Sequence, residues 1–496
     1  MVKIKKTNNK FQQNTIAFLK NNYHYILLAL MIIIYMTFFS IMSIDRHEKF
    51  QSLAFDLGIY DHAIWRFSQF KSGFNYVRGI HIFGDHFTPI NVLVAPLYWF
   101  FSDVRALLVL QTIALASAAV PVFLIAQKYL KNRWQSLLVS FALLMFPAIH
   151  YINLEDFHPE SFIVPLLLWA FYFLFEKKMN LYLLLVFLTL ACKEEIALTI
   201  FMVGCYIFFR YSKKYGIITI LGSFLWFITV IFLIAPFFNG YSYLYGGHVF
   251  GQFGNNAAEI AANIVNPSKL FPVIFTPENG KFMLDLFGPV GFLSVLSPIF
   301  LLLSVSLWLN LISSWPYAHN IYYHYVAAII PFVFLSLIRG LAWLKKLNQK
   351  IFYAALAVLF ISTLLCNYYV DHYDASLRNA EHIGNKFADF GKFSQTQNEL
   401  YYLISIIPDN ASVSATYNLV PHLTHRERIY DFPNPFEAHY WGTWKEQPEL
   451  EYVDYIFLSK GNYEDNCDVW NAVNLNNSYY LLAETTDKMC LLFKKK

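Results

Sequence analysis

Charge is scarce in this sequence. Only 14% of its 496 residues are Asp, Glu, Lys or Arg, against about 25% in soluble domains. That shortage excludes an ordinary soluble globular protein. Cysteine is scarce too: Cys192, Cys205, Cys366, Cys467 and Cys490 show no metal-ligand spacing, which excludes a disulfide scaffold or zinc module. Cys467 and Cys490 pair only if the tail is exported. No Gly-rich phosphate loop followed by Lys-Ser/Thr, paired-His zinc motif or Gly-x-Ser-x-Gly elbow occurs, so nucleotide hydrolysis in the cytoplasm is not expected. A net charge of +4 gives no footprint for nucleic acid. Internal repeats and low-complexity stretches are missing as well.

What is present is apolar and aromatic. Hydrophobic residues make up 57% of the chain, with 49 Phe, 34 Tyr and 11 Trp, and the mean hydropathy is +0.41. These values belong to the membrane class, in which aromatic rings anchor at bilayer interfaces. The basic start MVKIKK and a polar segment precede the apolar run 25–44, without a small-residue cleavage site, so that run reads as a retained first span.

A span needs about 20 apolar residues, fewer inside a bundle. Candidates are 24–44, 105–126, 135–151, 161–175, 179–192, 196–209, 217–236, 284–297, 298–313, 321–338 and 351–369. Four basic groups lie between them: Lys128/Lys131/Arg133, Lys177/Lys178, Arg210/Lys213/Lys214 and Arg339/Lys345/Lys346/Lys350. The positive-inside rule puts these in the cytoplasm with the N-terminal segment 1–23. The segment 24–369 then forms an α-helical polytopic domain of about 11 spans with outer loops 45–104, 152–160 and 237–283. The tail 370–496, with strand-like ASVSATYNLVPHL and YVDYIFLSK, reads as a small extracytoplasmic α/β domain. Residues 88–101 read as an interfacial or re-entrant helix, since counting them as a span would put Lys128, Lys131 and Arg133 outside.

This topology uses only Lys and Arg, yet it gathers Asp56, Asp61, Asp85, His86, Glu155, Asp156, His158, Glu160, Glu194, Glu195, His248, His319 and His324 on the outer side. In AFDLGIYDHAIW, Asp56, Tyr60 and Ala63/Ile64 share a helical face. Asp56 reads as a general base or cation ligand, or as a helix N-cap. Asp61 continues that site or caps the next turn. Asp85 orients His86, or the pair belongs to the turn before Pro89. In NLEDFHPES, Glu155 and Asp156 are candidate ligands for Mg²⁺ or Mn²⁺, with His158 beside them. The alternative is a polar hairpin with a capping Asp.

Lys193, Glu194 and Glu195 interrupt an apolar stretch. A charge at the bilayer centre costs about 2.5–3.5 kcal/mol, so KEE reads as a tight outer turn with its carboxylates near the site. His248 lies in a Gly- and aromatic-rich loop. His324 and Tyr325 stand at the mouth of a span, where belt anchoring also explains the tyrosine.

FDLGIYDHAIW, GDHFTPI, NLEDFHPES, CKEEIAL, HVFGQFG, YYHY and ASVSATYNLVPHLTHR, in that order over about Phe55 to Leu458, resemble a family of predicted bacterial and archaeal membrane proteins grouped with the GT-C glycosyltransferases. The resemblance implies a sugar donor on a polyprenyl phosphate and chemistry on the outer face. It maps the family's first-loop acidic pattern onto Asp56-Leu57-Gly58-Ile59-Tyr60, with Asp56 as base. Many members have a pair of acids there, and Leu57 departs from that pattern, which leaves the role of Asp61 open. His86 resembles a polar element before the second span, and Arg105 the basic residue near the lipid phosphate. Glu155 and Asp156 resemble the second-loop motif of members that hold a divalent cation. Lys193, His86, His158 and His324 are the expected phosphate-side groups, and the acceptor would be a cell-envelope glycan, lipid or protein. Two other classes stay open: a transporter or flippase using Glu194 and Glu195, and a non-catalytic glycolipid-binding scaffold.

Overall fold

The computed structural model describes residues 2–240, 249–254, 257–370, 390–437, 452–459 and 478–496. His248 and Cys467 lie outside them.

The first helix, Val2–Glu48, carries the apolar run expected near the N-terminus. Helices long and apolar enough to cross a membrane are Asn22–Glu48, Arg105–Leu130, Lys213–Asn239 and Gln349–Tyr368. The pair Arg133–Leu144 and Pro147–Leu154 also qualifies as one span bent by 42°. The bend falls at Pro147, whose ring cannot continue the preceding hydrogen-bond ladder. Shorter apolar helices, Ile163–Phe175, Met179–Leu190 and Ile196–Arg210, pack beside them. Helix Ile196–Arg210 lies close against Lys213–Thr229 because Gly204 and Gly216 are bare. A β-carbon on Gly216 would stand 2.4 Å from Phe208 Cα. Small residues allow such approach in membranes.

Two expected spans are not continuous helices. The stretch 284–313 is broken into Pro277–Phe287, Gly288–Val290, Leu293–Leu296, Ile299–Leu303 and Val305–Ile312. Pro289 and Pro298 lack donors, and Gly291 (φ 59°) and Phe292 (φ 55°) turn left-handed, so no ladder runs through. The expected span 321–338 is likewise shifted: its helix is Ile330–Leu347, entered at Pro331. Residues 88–101 form Ile90–Val94 and a 3₁₀ turn, Ala95–Trp99. Trp99, Phe100 and Phe101 are exposed there.

A short hairpin, β1 (Phe74–Asn75) and β2 (Ile80–His81), lies in the first loop. The C-terminal domain holds helix Gln395–Ile406 and strands β3 (Val413–Ala415), β4 (Ile429–Asp431), β5 (Tyr455–Ser459), β6 (Tyr479–Glu484) and β7 (Cys490–Lys495). The sheet order is β4-β3-β5-β7-β6. β3 runs parallel to β4 and β5, and β7 is antiparallel to β5 and β6. Cys490 is a buried free thiol.

The apolar interior divides in two. One cluster lies among the long helices, including Phe123, Phe171 and Phe332. A second joins the first loop (Ala54, Leu57, Ile64) to the C-terminal domain (Leu400, Val413, Val420). The domain expected as a separate tail thus shares a core with the loop that carries Asp56.

Candidate active site

Four chain segments converge where the helices end. They are the turn before helix Ile59–Ser68, the loop 155–160, the turn 191–195, and the 3₁₀ turn His324–Val326.

Asp56 precedes that first helix with its side chain 37% exposed. Its Oδ2 lies 2.7 Å from His158 Nε2. The His158 ring stacks at 3.8 Å on His324, and Tyr60 packs edge-on against it. Glu155 turns toward the same group, accepting from the His324 backbone N–H at 2.5 Å.

Asp156, its neighbour, turns away. With φ 107°, its carboxylate accepts from Arg46 and, at 3.1 Å, from the Leu53 N–H. It ties the end of the first helix to the turn leading into Asp56. The expected Glu155–Asp156 cation pair therefore does not form, because successive side chains here face opposite ways. A different set is close enough to hold a cation: one ligand atom from each of Asp56, Glu155, His158 and His324 lies within 4.8 Å of the others. Two imidazoles and two carboxylates suit a transition metal better than Mg²⁺.

A second cluster adjoins the first. Glu194 accepts from His86 Nδ1 at 2.9 Å and from the Phe87 N–H at 3.1 Å. Lys193 pairs with Glu160 at 2.7 Å and lies over the Tyr325 ring at 5.4 Å. Glu160, Lys193, Glu195, His324 and Tyr325, with apolar Ile163, Ile196 and Ala328, line a small cleft.

The electrostatics follow from burial and pairing. Burial raises the Asp56 carboxyl, but the His158 imidazolium, by charge and hydrogen bond, with His86 and Lys193 further out, leaves it below its ordinary value. Burial disfavours charge on His158, yet Asp56 and Glu155 push it up to about 10. Burial, with Asp56 adding, holds Glu155 well above the carboxylate range. Burial and the His158 charge hold His324 well below the histidine range. Glu194, despite burial, is drawn down to about 2 by His86. Lys193, also despite burial, is held well above its usual value by Glu160 and Glu195. The result is an ionised carboxylate open to solvent, ringed by imidazolium and ammonium groups. That arrangement suits proton abstraction beside an anionic leaving group.

Three expected site residues lie elsewhere. Arg105 is exposed and bound by Asp103 and Glu48. Asp85 forms a buried fork with Arg78, at 2.8 and 2.6 Å. Asp61, fully buried, accepts from Tyr98 and Thr424 and sits 3.2 Å from His425 Nε2. Each is held by a protein partner of its own. The sequence reading did not single out Gln111. Buried within a span, it donates to the Asp156 carbonyl at 2.7 Å and accepts from the His158 N–H at 2.8 Å, which fixes the loop. A polar side chain inside an apolar span was the available signal.

Residues 46–490 match the family described as "Predicted membrane protein (DUF2079)". The chain belongs to that family. No curated protein matches it in sequence. Among solved structures, it is similar to ArnT from Cupriavidus metallidurans bound to undecaprenyl phosphate, with a TM-score of 0.52, 10% identity and coverage of 95% of this chain and 98% of that one. The apo form of ArnT gives 0.50, 10%, 94% and 97%. At that identity the likeness is one of overall fold: this member of the DUF2079 family is mostly helical, follows the ArnT architecture along nearly its whole length, and carries a small C-terminal sheet domain.

Proposed function

We propose that this DUF2079 protein is a membrane glycosyltransferase that takes a sugar from a polyprenyl-phosphate donor and transfers it to an acceptor at the extracytoplasmic face. The observation that carries this reading is the Asp56 carboxylate, 37% exposed and 2.7 Å from His158, at the edge of a cationic cluster. Fold alone does not fix activity. It is the combination of this site with a fold whose neighbour was crystallised on undecaprenyl phosphate that supports the lipid-phosphate class.

In this mechanism an acceptor hydroxyl approaches Asp56. The bond from acceptor oxygen to the sugar's anomeric carbon forms as the bond from that carbon to phosphate breaks, with inversion. The acceptor proton passes to Asp56, and the electron pair of the broken bond leaves with the lipid phosphate. His86, Lys193 and His158 offset the charge that develops there. A divalent cation held by Asp56, Glu155, neutral His158 and His324 would take the place of the His158 imidazolium and supply the same kind of charge stabilisation. The acceptor class is a cell-envelope glycan, lipid or protein.

The test is transfer of labelled sugar from a panel of polyprenyl-phosphate donors in proteoliposomes, comparing wild type with Asp56→Asn. Transfer by wild type and not by the variant supports the assignment. Equal binding of lipid-linked sugar by both, with turnover by neither, would favour transport or a binding scaffold.

A further inference from the structure

The stretch ASVSATYNLVPHLTHR takes no part in the reaction above, yet it is where the C-terminal domain meets the loop carrying Asp56. The two segments run alongside each other in the same chain direction. The Ala54 N–H donates to the Tyr417 carbonyl at 2.8 Å. The Tyr417 hydroxyl donates to the Phe55 carbonyl at 3.3 Å, and the two rings stack 5.8 Å apart. At Gly58, an added β-carbon would stand 3.0 Å from Val420 Cγ1. Further along, Asp61 accepts from Thr424, and His62 Nδ1 lies 2.9 Å from the Thr424 carbonyl. Ala54, Leu57, Leu419 and Val420 belong to one apolar cluster.

We propose that the C-terminal domain is a clamp on the catalytic loop, with Tyr417, Val420 and Thr424 as positioning residues for Asp56. This rests on the reading of Asp56 as base. The loop supports itself only in part: its Gly58 N–H bonds to the Leu53 carbonyl at 3.2 Å, but Phe55 has non-helical angles (φ −95°, ψ 111°), and the Ala54 N–H and the Phe55 carbonyl both bond to Tyr417, in a strand-end loop distant in sequence. A base displaced by about 1 Å loses on the order of 10²-fold in rate, so those contacts bear directly on catalysis. Gly58 carries the same message. Its angles (φ −60°, ψ −35°) suit any residue, so the missing β-carbon serves the close approach of Val420 and not the chain's own conformation.

The experiment compares Gly58→Ala, Val420→Ala and the double variant in the full chain in nanodiscs. It reads kcat, donor KM and hydrogen exchange of the peptide 52–60. Gly58→Ala is expected to lower kcat by about tenfold or more with little change in KM, and to speed exchange. The double variant is expected to recover both. Tyr417→Phe, which removes only the hydroxyl, is expected to lower kcat less. Unchanged kcat and exchange in Gly58→Ala, or no recovery in the double variant, overturns the clamp. If no protein transfers sugar but exchange follows the pattern of loss and recovery, the clamp stands and the assignment of Asp56 as base falls.

Discussion

His158 Nε2 lies 2.7 Å from Asp56 Oδ2 across 102 residues of sequence, and each group holds the other charged. His158 is pushed up to about 10 and Asp56 is held below its ordinary value. The pairing opposes the effect of burial, which on its own raises the Asp56 carboxyl.

Asp56→Asn removes the proton acceptor while keeping the shape. Transfer should fall by about 10²–10⁴-fold, the usual contribution of a general base, with donor affinity retained. Steady-state transfer and equilibrium binding of the same donor check the two halves of this expectation.

The Glu194–His86 pair makes stability depend on pH. Glu194 is drawn from 4.5 down to about 2, so its contribution is present above about 4.5 and lost as pH falls through about 2. His86 is raised above 6.5, so its contribution is full below 6.5 and lost as pH rises through the raised value. The pair therefore supports the fold fully between about 4.5 and 6.5. The Tm difference between wild type and Glu194→Gln, scanned over pH, should be largest in that window and shrink on both sides.

Asp85 holds Arg78 rather than substrate, and both side chains are nearly inaccessible, at 4% and 1%. Asp85→Ala removes the carboxylate partner of a buried guanidinium and should destabilise by about 3–5 kcal/mol, read as a lower Tm in detergent. The KM for donor, measured on the folded fraction, should not move. A raised KM at unchanged Tm would return Asp85 to the binding site.

Cation binding separates Glu155 from Asp156. Mn²⁺ followed by electron paramagnetic resonance should bind the wild type and Asp156→Asn alike, and bind Glu155→Gln and His324→Ala at least tenfold more weakly, which corresponds to about 1.4 kcal/mol or more of lost ligation. Loss of binding in Asp156→Asn would mean that its link to Arg46 opens when metal arrives.

By itself the sequence determined the class of protein, a helical membrane protein with a small C-terminal sheet domain. Apolar run length and the placement of Lys and Arg act locally and one segment at a time, so they can be read without the fold. KEE as a turn between Met179–Leu190 and Ile196–Arg210 was legible on those grounds. Only the tertiary structure decided which ionisable groups share a site. Asp56, His158, Lys193 and His324 meet through helix packing, while Asp61, Asp85, Asp156 and Arg105 are held by Thr424, Arg78, Arg46 and Glu48. A carboxylate's role depends on which cation lies within about 4 Å of it, and no spacing along the chain encodes that distance. The same reason hid the C-terminal contact at Gly58: a missing β-carbon has meaning only once Val420 is seen to lie against it.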